Sequence, residues 1–260
     1  MKDMGKSQFA AVGRCIYCGV KNDLRREHIV PFGLSGTAVL PKATCKQCEK
    51  ITSNIERNVL RGPMWAVRVL RNLKSRRPND APKTERLTII KDGAEQTIEL
   101  PIDKFPILLH FPIYRPPSFL FPENYVNGII VTGYSTINFG TSLEEALSNY
   151  RPCEIRYKSH SYRWFDFARM IAKIAYCMDV GEGLMHEIKG ESMVLPAIMG
   201  KSNDVGRWVG TFANPFETHK GLLHRILLHK DSEKQLLIGE VQLFADSETP
   251  RYGVILGRLK

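Results

Sequence analysis

Cys15 and Cys18 are separated by two residues, and so are Cys45 and Cys48. A Cys-x-x-Cys turn aims two sulfurs at one centre, and two such turns supply the four thiolates of a closed tetrahedral zinc. Paired cysteines can also form disulfides. However, the chain shows no signal-peptide pattern at its N-terminus and no apolar run of membrane-spanning length. The expectation is therefore a reducing, cytoplasmic setting with no membrane partner, where metal is the better use of the two pairs. The other two of the six cysteines, Cys153 and Cys177, stand alone in apolar surroundings and read as core thiols. A four-thiolate zinc has no open position. It builds structure and cannot activate water, so any catalysis has to come from other side chains.

Between the pairs lie 26 residues that include Glu27-His28-Ile29-Val30-Pro31 and a loop from Gly33 to Gly36; Glu49 follows the last cysteine. In this order the stretch, about residues 13–60, resembles the HNH nucleases, the ββα-metal family, in their zinc-stapled form. The resemblance implies that His28 is the general base that takes a proton from the attacking water, a task suited to a group that titrates near neutrality. It implies that Glu27 and Glu49 hold a catalytic Mg²⁺ or Mn²⁺, hard ions that favour oxygen ligands. The chain departs from the family pattern at two places. Glu49 stands where His or Asn is usual, with Asn54 as the alternative ligand, about 140° round a helix from Glu49. The loop-bracing Asn of the family is not evident, and Leu40 and Pro41 lie near its place. The reaction implied is metal-dependent hydrolysis of phosphodiester bonds, in DNA ahead of RNA, in a context of bacterial defence or restriction. Members that cut both strands often work as dimers, which adds a homodimer, or a protein partner held by residues 81–260, to the expectations. The rival from another class is a zinc-dependent nucleic-acid-binding protein without catalysis, with His28 merely packed.

Charge supports a polyanionic partner. The net charge is +10, and residues 1–80 hold 16 Lys and Arg against 6 Asp and Glu, while residues 81–260 hold 21 of each. The excess therefore coincides with the cysteine-bearing third, as the footprint of nucleic acid would. Arg14, Arg25, Arg26, Lys46, Lys50, Arg57 and Arg61 are the candidate phosphate contacts.

The elements that must position these groups follow from periodicity. Residues 1–12 read as a loose basic arm. Leu24–Ile29 and Ala38–Leu40 read as hairpin arms, and residues 46–60 as a helix with Ile51, Ile55 and Val59 on one face. A second helix is expected over Met64–Ser75. Arg76 to Pro82 has the composition of a linker, which sets an expected boundary between a nuclease module at 1–80 and a domain at 81–260 that is regulatory or senses a partner or ligand. In the second part, Asp92-Gly93 marks a hairpin between 86–91 and 96–100. Further strands are expected over 105–114, 127–132, 154–158, 222–228, 236–244 and 252–259. Ser142 and Glu145 form a capping box for a helix through Asn149. The longest helix is expected over 162–178, ended by Gly181. Without a βαβ rhythm the class is α+β: an N-terminal ββα zinc module followed by a mixed domain with antiparallel strands. The aromatic group Tyr157, Tyr162, Trp164, Phe165 and Phe167 reads as core ahead of a base-stacking surface. His219, His224 and His229 do not make a second metal site, since a spacing of five puts the last two on opposite faces of a strand.

Overall fold

The structure is a computed structural model that describes residues 9–76, 78–80, 82–150, 153–156, 163–213 and 217–260. Most of the expected basic arm, parts of the linker, and Tyr157 and Tyr162 of the aromatic group lie outside the described residues.

Strand β1 (Leu24–His28) pairs antiparallel with β2 (Val39–Cys45), with Leu24 opposite Cys45 and His28 opposite Val39. The register shifts between Arg25 and Glu27. Pro41 and Lys42 lie at that bulge; proline cannot donate to a ladder and Lys42 has φ 48°. The carbonyls of Pro41 and Lys42 instead accept from the N–H groups of Val12 and Gly13, at 2.9 and 3.1 Å, which ties the chain before the first cysteine to the hairpin. Helix α1 (Lys46–Leu60) starts directly after Cys45 and buries Cys48, Thr52, Ile55 and Val59, with the bounds its periodicity predicts. Together β1, β2 and α1 make the expected ββα unit.

Helix α2 (Trp65–Leu70) is shorter than the expected 64–75. Asn72 turns left-handed at φ 48°, and the Leu73 N–H closes the end on the Arg68 carbonyl at 2.9 Å. Strands β3 (Thr84–Lys91) and β4 (Ala94–Pro101) form the Asp92-Gly93 hairpin, whose φ values of 52° and 77° are those of a type I′ turn. Strand β5 (Leu108–Tyr114) pairs with β6 (Val131–Asn138), which begins where the expected 127–132 strand was to end. Helix α3 (Leu143–Ala146) has the expected Ser142 cap, its hydroxyl accepting the Glu145 N–H at 3.1 Å, but stops short of Asn149. Strand β7 (Glu154–Arg156) joins the free edge of β3.

Helix α4 (Trp164–Glu182) runs through Gly181 and ends at Gly183, left-handed at φ 74°. After it come α5 (Leu195–Ile198), β8 (Val209–Thr211), β9 (His224–Asp231), β10 (Leu236–Leu243) and β11 (Arg251–Arg258). The last four form an antiparallel sheet in the order β8-β11-β10-β9. The class is thus mixed α+β with antiparallel sheets. Among the described residues, no helix is long and apolar enough to cross a membrane.

Helix α4 positions the ββα unit. Against it pack the strands β9, β10 and β11 as well as α1. The Tyr176 hydroxyl donates to the Ile16 carbonyl inside the first Cys-x-x-Cys turn, and Tyr17 Oη lies 3.4 Å from Cys177 Sγ. Asn58 of α1 donates to Asp166 of α4 at 2.7 Å. The buried side chains on both sides of residue 80 join in one continuous cluster.

Candidate metal centre and the adjoining acid-histidine site

The four thiols of Cys15, Cys18, Cys45 and Cys48 lie within 4.8 Å of one another. Cys18 Sγ and Cys45 Sγ are 3.7 Å apart. Thiolates around one zinc with bonds of about 2.3 Å stand about 3.8 Å apart, so the cluster has the size of a zinc site and could hold that ion. The first Cys-x-x-Cys turn is shaped by backbone bonds from Gly19 N–H to the Cys15 carbonyl at 2.8 Å and from Cys15 N–H to the Val20 carbonyl at 2.7 Å. Burial pushes the Cys45 thiol up, but the Cys48 N–H at the start of α1 and the neighbouring thiols bring it down to about 7. Burial and the same neighbours push Cys48 up. Four thiols this close share protons and release them most readily to a cation.

One strand turn away, the acidic residue of the Glu27-His28 pair is buried, at 6% exposure. Its Oε1 lies 2.7 Å from Lys173 Nζ of α4, and Glu56 Oε1 of α1 lies 3.0 Å from the same ammonium. Lys173 also donates to the His28 carbonyl and lies 3.4 Å from that of Ile29. Burial alone would lower the lysine; Glu27 and Glu56 hold it well above its ordinary value, so it is charged. Glu49, by contrast, is partly exposed, and its Oε2 meets Arg25 at 2.6 Å. Asn54 is exposed and accepts from Arg57 at 2.5 Å. Glu27 and Glu49 are thus each engaged by a cationic side chain. Among the described residues, Glu27, His28 and Glu49 also do not come together as a group that could hold a metal ion, so as they stand they do not fit a hard divalent ion.

His28 is half-buried at the end of β1, with its ring edge-on to Phe32 at 5.6 Å between centroids. Its Nδ1 is buried and meets no hydrogen-bond partner among the described residues. Burial, then Lys173 and Arg26, hold the imidazole below its ordinary value, so it is neutral at pH 7. The loop after it is braced from three places. Gly36 approaches the Val30 carbonyl so closely that a Cβ would sit 2.0 Å from the oxygen. Arg68 donates to the carbonyls of Gly33 and Leu60 at 2.6 and 3.0 Å. His224 of β9 accepts the Phe244 N–H at Nδ1, at 3.2 Å, which leaves Nε2 to donate to the Leu34 carbonyl at 2.8 Å. His224 therefore braces this loop as a neutral ring, and His229 faces Glu240 at 3.3 Å.

Arg14, Arg25, Arg26, Lys46, Lys50, Arg57 and Arg61 are all exposed. Arg14 lines a cavity of about 890 Å³ beside the first Cys-x-x-Cys turn, together with Tyr176, His186 and Lys201. Of the aromatic group, Phe167 is in the core, while Trp164 and Phe165 are partly buried.

The sequence reading missed Glu56 and Lys173. The signal for Lys173 was present: a single charge inside Met170–Met178, otherwise apolar, in the middle of the longest helix. A buried cation must have a partner. The chain matches none of the family models, curated proteins or solved structures with which it was compared.

Proposed function

We propose that the chain is a zinc-stapled HNH-type endonuclease that hydrolyses phosphodiester bonds in nucleic acid, DNA first, with His28 as general base. The observation that carries this reading is the state of His28. It sits at the end of β1 in a ββα unit, only half-buried, and its ring is held neutral. A neutral imidazole is the form that accepts a proton from an attacking water. The exposed cations Arg26, Lys46 and Lys50 of β1 and α1 would neutralise the phosphate. The catalytic Mg²⁺ or Mn²⁺ belongs to the same family resemblance. Since Glu27 and Glu49 do not fit it as they stand, no step is assigned to such an ion.

The engagement of Glu27 by Lys173 favours a second reading, cleavage of RNA. There the 2′-hydroxyl is a nucleophile supplied by the substrate, and the protein needs a base and cations rather than an ion on Glu27.

Matched DNA and RNA duplexes and single strands, with and without added Mg²⁺ or Mn²⁺, test both readings. The wild type should cleave, and His28→Ala should be slower by about 10²–10⁴-fold. A wild type that binds nucleic acid but cuts nothing under any of these conditions leaves a zinc-dependent binding protein in its place, and a His28→Ala variant that cuts equally well removes His28 as the general base.

A further inference from the structure

Lys173 is, among the described residues, the one lysine or arginine that is buried, at 1% exposure. It sits in an unusual set of partners. Glu27 Oε1 comes from β1, Glu56 Oε1 from α1, and the carbonyls of His28 and Ile29 from the end of β1. Two carboxylates and two carbonyls are the donor set of a hard divalent cation. Here the spacing is that of an ammonium, with carboxylate oxygens at 2.7 and 3.0 Å; a magnesium ion would draw its ligands in to about 2.0–2.1 Å.

We propose that Lys173 is the resident cation of the ββα site: its ammonium takes the place between Glu27 and Glu56 that a divalent ion would otherwise fill. Through the two carbonyls it also fixes the strand end that carries His28, which makes it a positioning residue. Only that consequence for His28 rests on the nuclease reading; the occupancy of the cage does not. The cage is least closed at Glu56, whose side chain is 20% exposed against 7% for Glu27. An ion arriving from solvent would meet Glu56 first and would have to displace a tethered charge to reach Glu27. Tethering makes that displacement hard, because the lysine re-enters at a high effective concentration.

Titration of the zinc-loaded full-length protein with Mn²⁺, followed by the electron paramagnetic resonance of the free ion, tests the inference without reference to cleavage. The wild type should take up no Mn²⁺ that depends on Glu27 or Glu56. Lys173→Met should gain one Mn²⁺ per chain, and the added change Glu56→Gln should remove it again. A wild type that binds Mn²⁺ and loses it in Glu27→Gln or Glu56→Gln overturns the proposal, as does a folded Lys173→Met that gains no site. If Lys173→Met does not fold, the comparison of wild type with Glu56→Gln still decides: Glu56-dependent uptake is against the proposal and its absence is for it. Failure of the nuclease reading would show in the cleavage assay and leave this titration unchanged.

Discussion

The ββα unit contains two places built for positive charge, and they are assembled in opposite ways. The thiol cluster draws all its groups from residues 15–48, two of them on each side of one hairpin. The carboxylate cage draws Glu27 from that hairpin, Glu56 from the following helix and its cation from Lys173, 145 positions beyond His28. The first can close as soon as the hairpin and the start of α1 have formed. The second exists only after α4 has docked. What looks in the sequence like a self-contained nuclease module with an appended domain is, at its acid-histidine end, completed by that domain. The thiols could take a cation only from outside, whereas the carboxylates have one from within the chain.

The thiol side of this contrast should give the largest effect. Structural zinc in small modules contributes about 10–16 kcal/mol of folding free energy. Cys45→Ser should reduce zinc from about one per chain to none and unfold the hairpin and α1. Amide exchange is the measurement that sharpens the comparison: protection should collapse in β1 and β2 and survive in β10 and β11, where the sheet has its own buried side chains. Unchanged zinc content, or melting of both regions together, would mean that the cluster is not a local building block.

The carboxylate side should respond next. Lys173→Met leaves Glu27 and Glu56 without their shared partner, and loss of one member of a buried ion pair costs about 3–5 kcal/mol. The triple change Lys173→Met, Glu27→Gln, Glu56→Gln removes the stranded charges and should recover a good part of that loss. Urea unfolding of the single, triple and wild-type chains makes the comparison. A single variant as stable as wild type would reduce the cage to a surface contact.

The asymmetry between the two places also explains what could be read from the sequence. Local chemistry was legible. The Cys-x-x-Cys spacing gave the thiol cluster, the 3.6-residue period gave α1, and Asp92-Gly93 gave the type I′ hairpin. Strand β6 was displaced because its signal is alternation, one residue partly buried and the next exposed through Val131–Asn138, while the more apolar stretch just before it drew the assignment. The three residues of β8 carry too little pattern to stand out at all. Lys173 was visible as a charge in an apolar helix, but its partners were not, because no local rule says which strand a helix will meet. Glu27 and His28 could therefore be singled out as chemically active residues, while the neighbour that decides what Glu27 can do could not.

The smallest of the three effects comes from the other long-range brace on the loop after His28. His224 is held neutral by burial, down to about 4, although the Leu34 carbonyl and Asp246 pull the other way and Arg71 adds to the drop. In the unfolded chain it titrates near 6.5. The unfolded state therefore binds more protons between those values. The contribution is fully present above pH 6.5 and is lost as the pH falls towards 4, by about 3 kcal/mol at most. Asp179 works in the same range with the opposite sign. Its buried carboxyl, without a partner among the described residues, is raised by burial and then by Glu187 to about 7, so it costs stability as the pH rises from its ordinary 3.8. The raw pH profile of the wild type mixes the two, and only a difference isolates the histidine. Glutamine can donate to the Leu34 carbonyl and accept from the Phe244 N–H without titrating. His224→Gln should thus match the wild type near pH 7.5 and gain on it progressively below pH 6.5 in urea unfolding. Parallel curves would show that His224 keeps its ordinary affinity for protons. The β9 brace on the His28 loop would then be looser than the hydrogen bonds at Leu34 and Phe244 make it, leaving Lys173 as the main tie between the acid-histidine end and the rest of the chain.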